Sequence, residues 1–200
     1  METQTGSEVS SLVVEAAERL FFSAGFGNTS MDDLARELRI SKKTIYRHFP
    51  GKRSLLAAVL DRQFGRIEQA LVEARVTSAG EPFEIQVEKF LVAAGSELSR
   101  IGAPQLLYGR GDPMLRPYVE QRVETVIYQR IDELFRLGHE RGALRTPPEL
   151  LSLITRGAVE RLLGSELPRE LDRTAADLLR ETVDVVLRGA LGSTSSGRTS

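Results

Sequence analysis

The chain contains no cysteine in 200 residues. Disulfides, thiolate zinc sites and cysteine nucleophiles are therefore excluded. Histidine is scarce as well. His48 and His139 are the only two, without a His-x-x-x-His spacing, so no metal site is expected. No apolar run approaches the ~20 residues of a membrane span. The first eleven residues are polar and lack the basic region and apolar core of a signal peptide. A soluble, cytoplasmic protein with no membrane partner is the expectation. No local signature of a Ser-His-acid set is present. Gly109-x-Gly111 lacks a third glycine and follows no strand, so it reads as a turn before Pro113, and Arg110-Gly111-Asp112 belongs to that turn. Neither an enzyme nor a cofactor is expected. A large charge of one sign is also missing: 27 basic against 28 acidic residues leave a net charge of −1 and a pI near 6.2. A uniformly basic coat for nucleic acid would not look like this.

What is present is helix. Hydrophobic residues make up 41% of the chain, enough for a core. From about Ser7 to Ala24, Val9, Leu12, Val13, Ala16, Ala17, Leu20, Phe21 and Ala24 recur at spacings of three and four, and Gly25 and Gly27 end the run. Ser30-Met31-Asp32-Asp33 reads as a capping box opening a short helix that carries Met31, Leu34, Ala35 and Leu38. Arg39-Ile40 makes a turn. Ser41 caps a third helix that ends near Pro50-Gly51. A long fourth helix follows, with Leu55, Leu56, Val59, Leu60, Phe64, Ile67 and Leu71. After a break at Thr77–Gly80, helical periods recur at roughly 82–100, 103–110, 114–141, 147–164 and 169–190. Prolines stand near their starts. No segment alternates with period two for long enough to suggest a strand. The fold class is all-α: an N-terminal three-helix helix-turn-helix domain at 1–50, a larger helical domain at 51–191, and a disordered polar tail at 192–200.

The charge is local. Between Arg36 and Arg53 stand seven cations, namely Arg36, Arg39, Lys42, Lys43, Arg47, Lys52 and Arg53, against the single anion Glu37. On the third helix Lys42, Lys43, Tyr46 and Arg47 share one face, and Ile45 and Phe49 share another. One face holds the helix to its domain, and the other offers cations and a phenol to the major groove of double-stranded DNA. Focused charge of this kind suits a site-specific binder.

Residues about 9–56 resemble the DNA-binding domain of the TetR family of transcriptional regulators. The resemblance is carried by Ala16-Ala17, Leu20-Phe21, Gly25-Phe26, Thr29-Ser30-Met31-Asp32-Asp33-Leu34-Ala35, the stretch Ser41 to Phe49, and Lys52-Arg53-Ser54-Leu55-Leu56. It implies phosphate contacts from Tyr46 and His48, from Lys52 at the start of the fourth helix, and from Ser30 at the start of the second. Lys42 and Lys43 are the candidates for base edges, Thr44 for a thymine methyl or a phosphate, and Ser41 and Arg47 complete the set. Two residues depart from the family pattern. Arg39 stands where glycine is usual, which makes a positive φ more costly, and Lys43 replaces a small residue.

The larger domain is expected to bind an effector and to dimerise. Phe64, Phe90, Tyr108, Met114, Tyr118 and Tyr128 are candidates to bound an apolar cavity for a small hydrophobic or aromatic molecule. The last segment has apolar residues at 171, 175, 178, 179, 183, 185, 186, 187 and 190, a stripe wide enough to be buried on two sides, as in a homodimer. A charge at Val183 is expected to split that dimer. The expected function is a dimeric, ligand-released repressor of a palindromic operator. The alternative is an activator or a partner-regulated DNA-binding protein.

Overall fold

A computed structural model describes residues 2–100, 114–163, 165 and 167–190. Among them no strand forms. The elements are α1 (Glu2–Ser23), α2 (Met31–Leu38), α3 (Lys42–His48), α4 (Lys52–Thr77), α5 (Phe83–Arg100), α6 (Arg116–Val123), α7 (Gln129–Glu140), α8 (Pro148–Leu163), the single turn α9 (Leu167–Glu170) and α10 (Ala175–Ala190). The helix expected over 103–110, the turn at 109–113 and the tail at 192–200 lie outside the described residues.

Local signals in the sequence set the helix ends. Ser30 is extended, its Oγ accepts from the Asp33 amide at 3.2 Å, and the Asp33 carboxylate accepts from the Ser30 amide at 2.8 Å. Both orphan amides are thus satisfied. Ser41 caps α3 in the same way, accepting from the Thr44 amide at 3.1 Å. Between the two helices Arg39 sits at φ 53° and ψ 38°, the left-handed region that its departure from glycine made costly.

A single core runs through the molecule. Leu34 of α2, Ile45 of α3 and Ala16 and Ala17 of α1 are fully buried together with Leu55 and Val59 of α4. Further along α4, Phe64, Ile67 and Leu71 continue the same core toward Val87 and Phe90 of α5 and Ile131 and Phe135 of α7. Helix α4 therefore belongs to both halves: its first turns complete the three-helix unit, and its later turns anchor the remainder.

Helices α6 and α7 are joined without a break by a π-helical turn, Glu124–Tyr128, in which the Gln129 amide donates to the Glu124 carbonyl. The guanidinium of Arg130 caps the carbonyls of Thr125 and Val126 at 2.9 and 3.0 Å and pairs with Glu68 of α4. From α8, Arg156 bonds Glu124 and Asp132 at 2.6 and 2.8 Å and lies 4.3 Å over the Tyr128 ring. The two carboxylates hold its proton more tightly than in a free arginine, Glu124 foremost. Gly138 of α7 admits Phe83 of α5: a methyl there would come within 2.2 Å of the ring.

The segment expected to be one helix over 169–190 is two. Asp172 turns the chain at φ 50°, and Thr174 starts α10 with its own cap, accepting from the Asp177 amide at 3.1 Å. The Thr-x-x-Asp signature repeats that of Ser30 and Asp33; periodicity alone runs through it. The wide apolar stripe divides accordingly. Leu178, Leu179, Val183 and Leu187 are buried on the protein's own core, while Leu171 and Val185 are exposed. Val183 is 7% exposed and stands in the cleft that α10 makes with Glu84 and Glu88 of α5. It is a core residue of the single chain, which corrects its expected place in a subunit interface.

Candidate nucleic-acid interface

Helix α3 is fixed from behind. Ile45 is fully buried and Phe49 nearly so, so the outward direction of the helix is set. On the other side Lys42, Lys43, Tyr46 and Arg47 are turned away from the core, Tyr46 being 48% exposed. These are the four residues that helical spacing placed on one face. The structure separates the two lysines, however. Lys42 is ion-paired with Asp32 of α2. Lys43 and Arg47 have no carboxylate partner among the described residues, and their donors are available to a nucleic acid.

The other candidates surround this face. The Ser41 hydroxyl is engaged with the Thr44 amide and lies 2.9 Å from the Thr44 hydroxyl. The Ser30 hydroxyl donates to Asp33 at 2.6 Å while capping α2. Donation from that hydroxyl, and then from the Ser30 amide, holds the Asp33 carboxyl below its usual range. His48 is half-buried, beside the first turns of α1 near Gly6. Lys52 opens α4 with its ammonium 4.3 Å above the Phe26 ring. Partial burial lowers its proton affinity, and the nearby Asp33 offsets part of that effect. A cation on an aromatic face at a helix N-terminus is well placed for a phosphate. Asp32 is the residue that sequence reasoning missed as a partner of this face. It lies ten residues from Lys42, on another helix, and no local spacing signals the pair.

Five of the six candidates for an effector cavity lie among the described residues. Phe64 is fully buried beneath Arg122, whose guanidinium is 5.5 Å from the ring. Tyr118 donates to Asp61 of α4, and burial together with that bond raises its pKa. Tyr128 is buried under Arg156 at the π-helical turn. Met114 is 71% exposed. Tyr108 lies outside the described residues. Phe90 lines a cleft of about 170 Å³ between α4, α5 and α7, with Leu71, Val72, Leu134 and Leu137 on its apolar side and Arg75, Arg130, Glu133 and Arg136 on its polar side.

Residues 13–59 match the family model of bacterial regulatory proteins of the tetR family. Over 64 residues the chain is 39% identical to the HTH-type transcriptional regulator YuxN of Bacillus subtilis, covering 30% of this chain and 22% of that protein. Over 58 residues it is 34% identical to the HTH-type transcriptional regulator TtgR of Pseudomonas putida, covering 29% and 28%. The chain spans about a quarter of the length of these relatives. The whole fold is similar to a TetR transcriptional regulator of Chloroflexus aurantiacus, with a TM-score of 0.70 over 94% of this chain and all of that one, at 22% identity. The capped α2, the left-handed turn at Arg39 and the exposed basic face on α3 all lie within the residues 13–59 that match the tetR family model.

Proposed function

We propose that this protein is a homodimeric transcriptional repressor that binds an approximately palindromic DNA operator and is released by a small hydrophobic effector. The observation that carries the reading is the two-sidedness of α3: Ile45 and Phe49 lock one face to the core while Lys43, Tyr46 and Arg47 face outward. Two such helices, related by a twofold axis, read two half-sites. Lys43 and Arg47 take the base-reading role, with Lys42 behind them because of its pair with Asp32. Tyr46, His48 and Lys52 hold phosphates.

Support for the dimer comes from α8 and α10, which pack side by side. Leu150, Leu153 and Ile154 make an exposed strip along α8, and Val185 is 70% exposed on α10. An exposed apolar strip on α8, with an exposed valine on the adjacent α10, fits a second copy, giving a four-helix contact. The domain division near residue 50 follows from the same scheme, with α4 crossing it. The effector site is the cleft that Phe90 lines, whose apolar wall suits a lipophilic or aromatic body about as large as the ring that a ~150 Å³ cavity accepts. Effector binding shifts the population of α4 positions and thus the separation of the reading heads.

Selection of duplex DNA from a random library tests the reading. An inverted repeat is expected, and Lys43→Ala should relax preference at one or two positions per half-site by about 1–3 kcal/mol. Recovery of no repeated element, or an unchanged preference in the variant, would refute it.

A further inference from the structure

Helix α4 is gripped on two faces. At 100° per residue, Asp61 and Glu68 share one side of it, and Arg62 and Arg66 share another, roughly a third of a turn away. The first side meets α6 and α7: Tyr118 donates to Asp61, and Arg130 pairs with Glu68. The second side meets α1 through a single carboxylate. Glu18 takes both terminal nitrogens of Arg66, at 2.9 and 3.0 Å, and Arg62 Nε lies 3.3 Å from the same group. Its side chain is only 15% exposed, against 34% for Arg62 and 41% for Arg66.

Two guanidiniums one helical turn apart define both the position of α1 along α4 and its rotation about α4. A bidentate arginine–carboxylate contact adds direction to attraction, because its two parallel bonds tolerate little rotation. The apolar contacts of α1 with α4 hold the helices together, but they would permit sliding that the fork forbids. The face of α3 is rigidly attached to α1 through the shared core.

We propose that Glu18 is a positioning residue for DNA recognition: its clasp on Arg62 and Arg66 fixes the angle of the reading head on α4, and hence the half-site separation the protein accepts. The inference rests on the dimer reading above. Movement of α4 imposed at Asp61 or Glu68 reaches the head through Glu18, while the DNA-contacting side chains remain as they are.

The test uses the full chain and a duplex selected by the parent protein, rebuilt with its central spacer one base pair longer and one shorter, and as an isolated half-site. For Glu18→Gln, discrimination among the three spacers should fall roughly three- to tenfold. Half-site affinity and salt dependence should stay at the parent's values. Arg62→Gln, which leaves the Arg66 fork intact, should show a smaller loss of the same kind. Thermal unfolding of each variant identifies a loss that comes from unfolding alone. Equal spacer discrimination in the parent and Glu18→Gln overturns the proposal, as does an affinity loss that is uniform across all four duplexes. A parent that does not discriminate among spacers overturns it together with the dimer reading. Strong parental discrimination retained by Glu18→Gln leaves the dimer reading standing and removes only this one.

Discussion

Gly138→Ala measures how tightly the C-terminal half is packed. An added Cβ would lie 2.2 and 2.4 Å from two ring carbons of Phe83 and 2.7 Å from a methyl of Leu144. Carbon atoms rest at about 3.5–4.0 Å, so the overlap with the ring exceeds an ångström. Phe83 is 8% exposed and Leu144 2%, so neither has room to step aside. Overpacking of this kind costs ~1–3 kcal/mol. Alanine recovers up to ~1 kcal/mol of helix propensity over glycine within α7. The balance is a destabilisation of about 1–2 kcal/mol, or roughly 2–8 °C in Tm for a chain of this size. Gly65→Ala is the internal control. It changes a glycine inside α4 with nothing within 4 Å of the new methyl, and Tm should rise. Calorimetry on parent and both variants decides the matter, with DNA affinity at ~25 °C expected to be unchanged. A Gly138→Ala protein as stable as the parent, or shifted in the same direction as Gly65→Ala, would show that the close approach of α7 to Phe83 is wrong.

Val183→Glu and Val185→Glu should fail differently. The first places a carboxylate against the core and should unfold the protein or lower its Tm sharply, whereas the second should leave a folded monomer with weakened operator binding. Sedimentation and circular dichroism separate the two, and a folded Val183→Glu monomer would refute the assignment. Acid should loosen the start of α2. The Asp33 pKa lies below its usual 3.8 in the folded chain. Its contribution is therefore present above that value and is lost as pH falls through the folded pKa. Asp33→Asn should flatten the dependence of Tm on pH below about pH 4, and an unchanged acid limb would contradict the capping role.

The helix-turn-helix was legible because its signals are local. Caps, turn residues and the two faces of α3 are all written within four or five residues of one another, and Arg39 adopts the left-handed conformation its position demanded. Tertiary choices were less legible. The pair between Lys42 and Asp32 depends on how α2 and α3 cross. Periodicity showed that α10 is apolar on more than one side, but it could not tell which valine faces α5 and which faces outward. The break at Leu171–Thr174 was written in the sequence as a Thr-x-x-Asp cap and was hidden by apolar residues on both sides of it. The aromatic residues between 64 and 128 have the chemistry of a cavity wall, yet chemistry does not fix proximity. Phe64 and Tyr118 share Arg122 as a neighbour, whereas Phe90 lines a separate cleft and Tyr128 lies under Arg156.

The π-helical turn at Glu124–Tyr128 makes the long α6–α7 rod tolerant of length in one place and intolerant elsewhere. Such a turn carries one residue more than an α-helix would use there. Deleting a residue inside it would relax the turn to ordinary α geometry and leave everything downstream near its present phase, whereas deleting one from α6 would rotate everything downstream by about 100°. After that second change Arg130 would swing away from Glu68, and Gly138 would no longer face Phe83. The π-helical turn thus absorbs a spare residue without changing the phase of the rod. It joins two helical stretches whose inward faces were fixed by different neighbours, α4 on one side and α5 on the other. In descendants of this chain, loss of a single residue should be tolerated within 124–128 and purged from the rest of the α6–α7 rod.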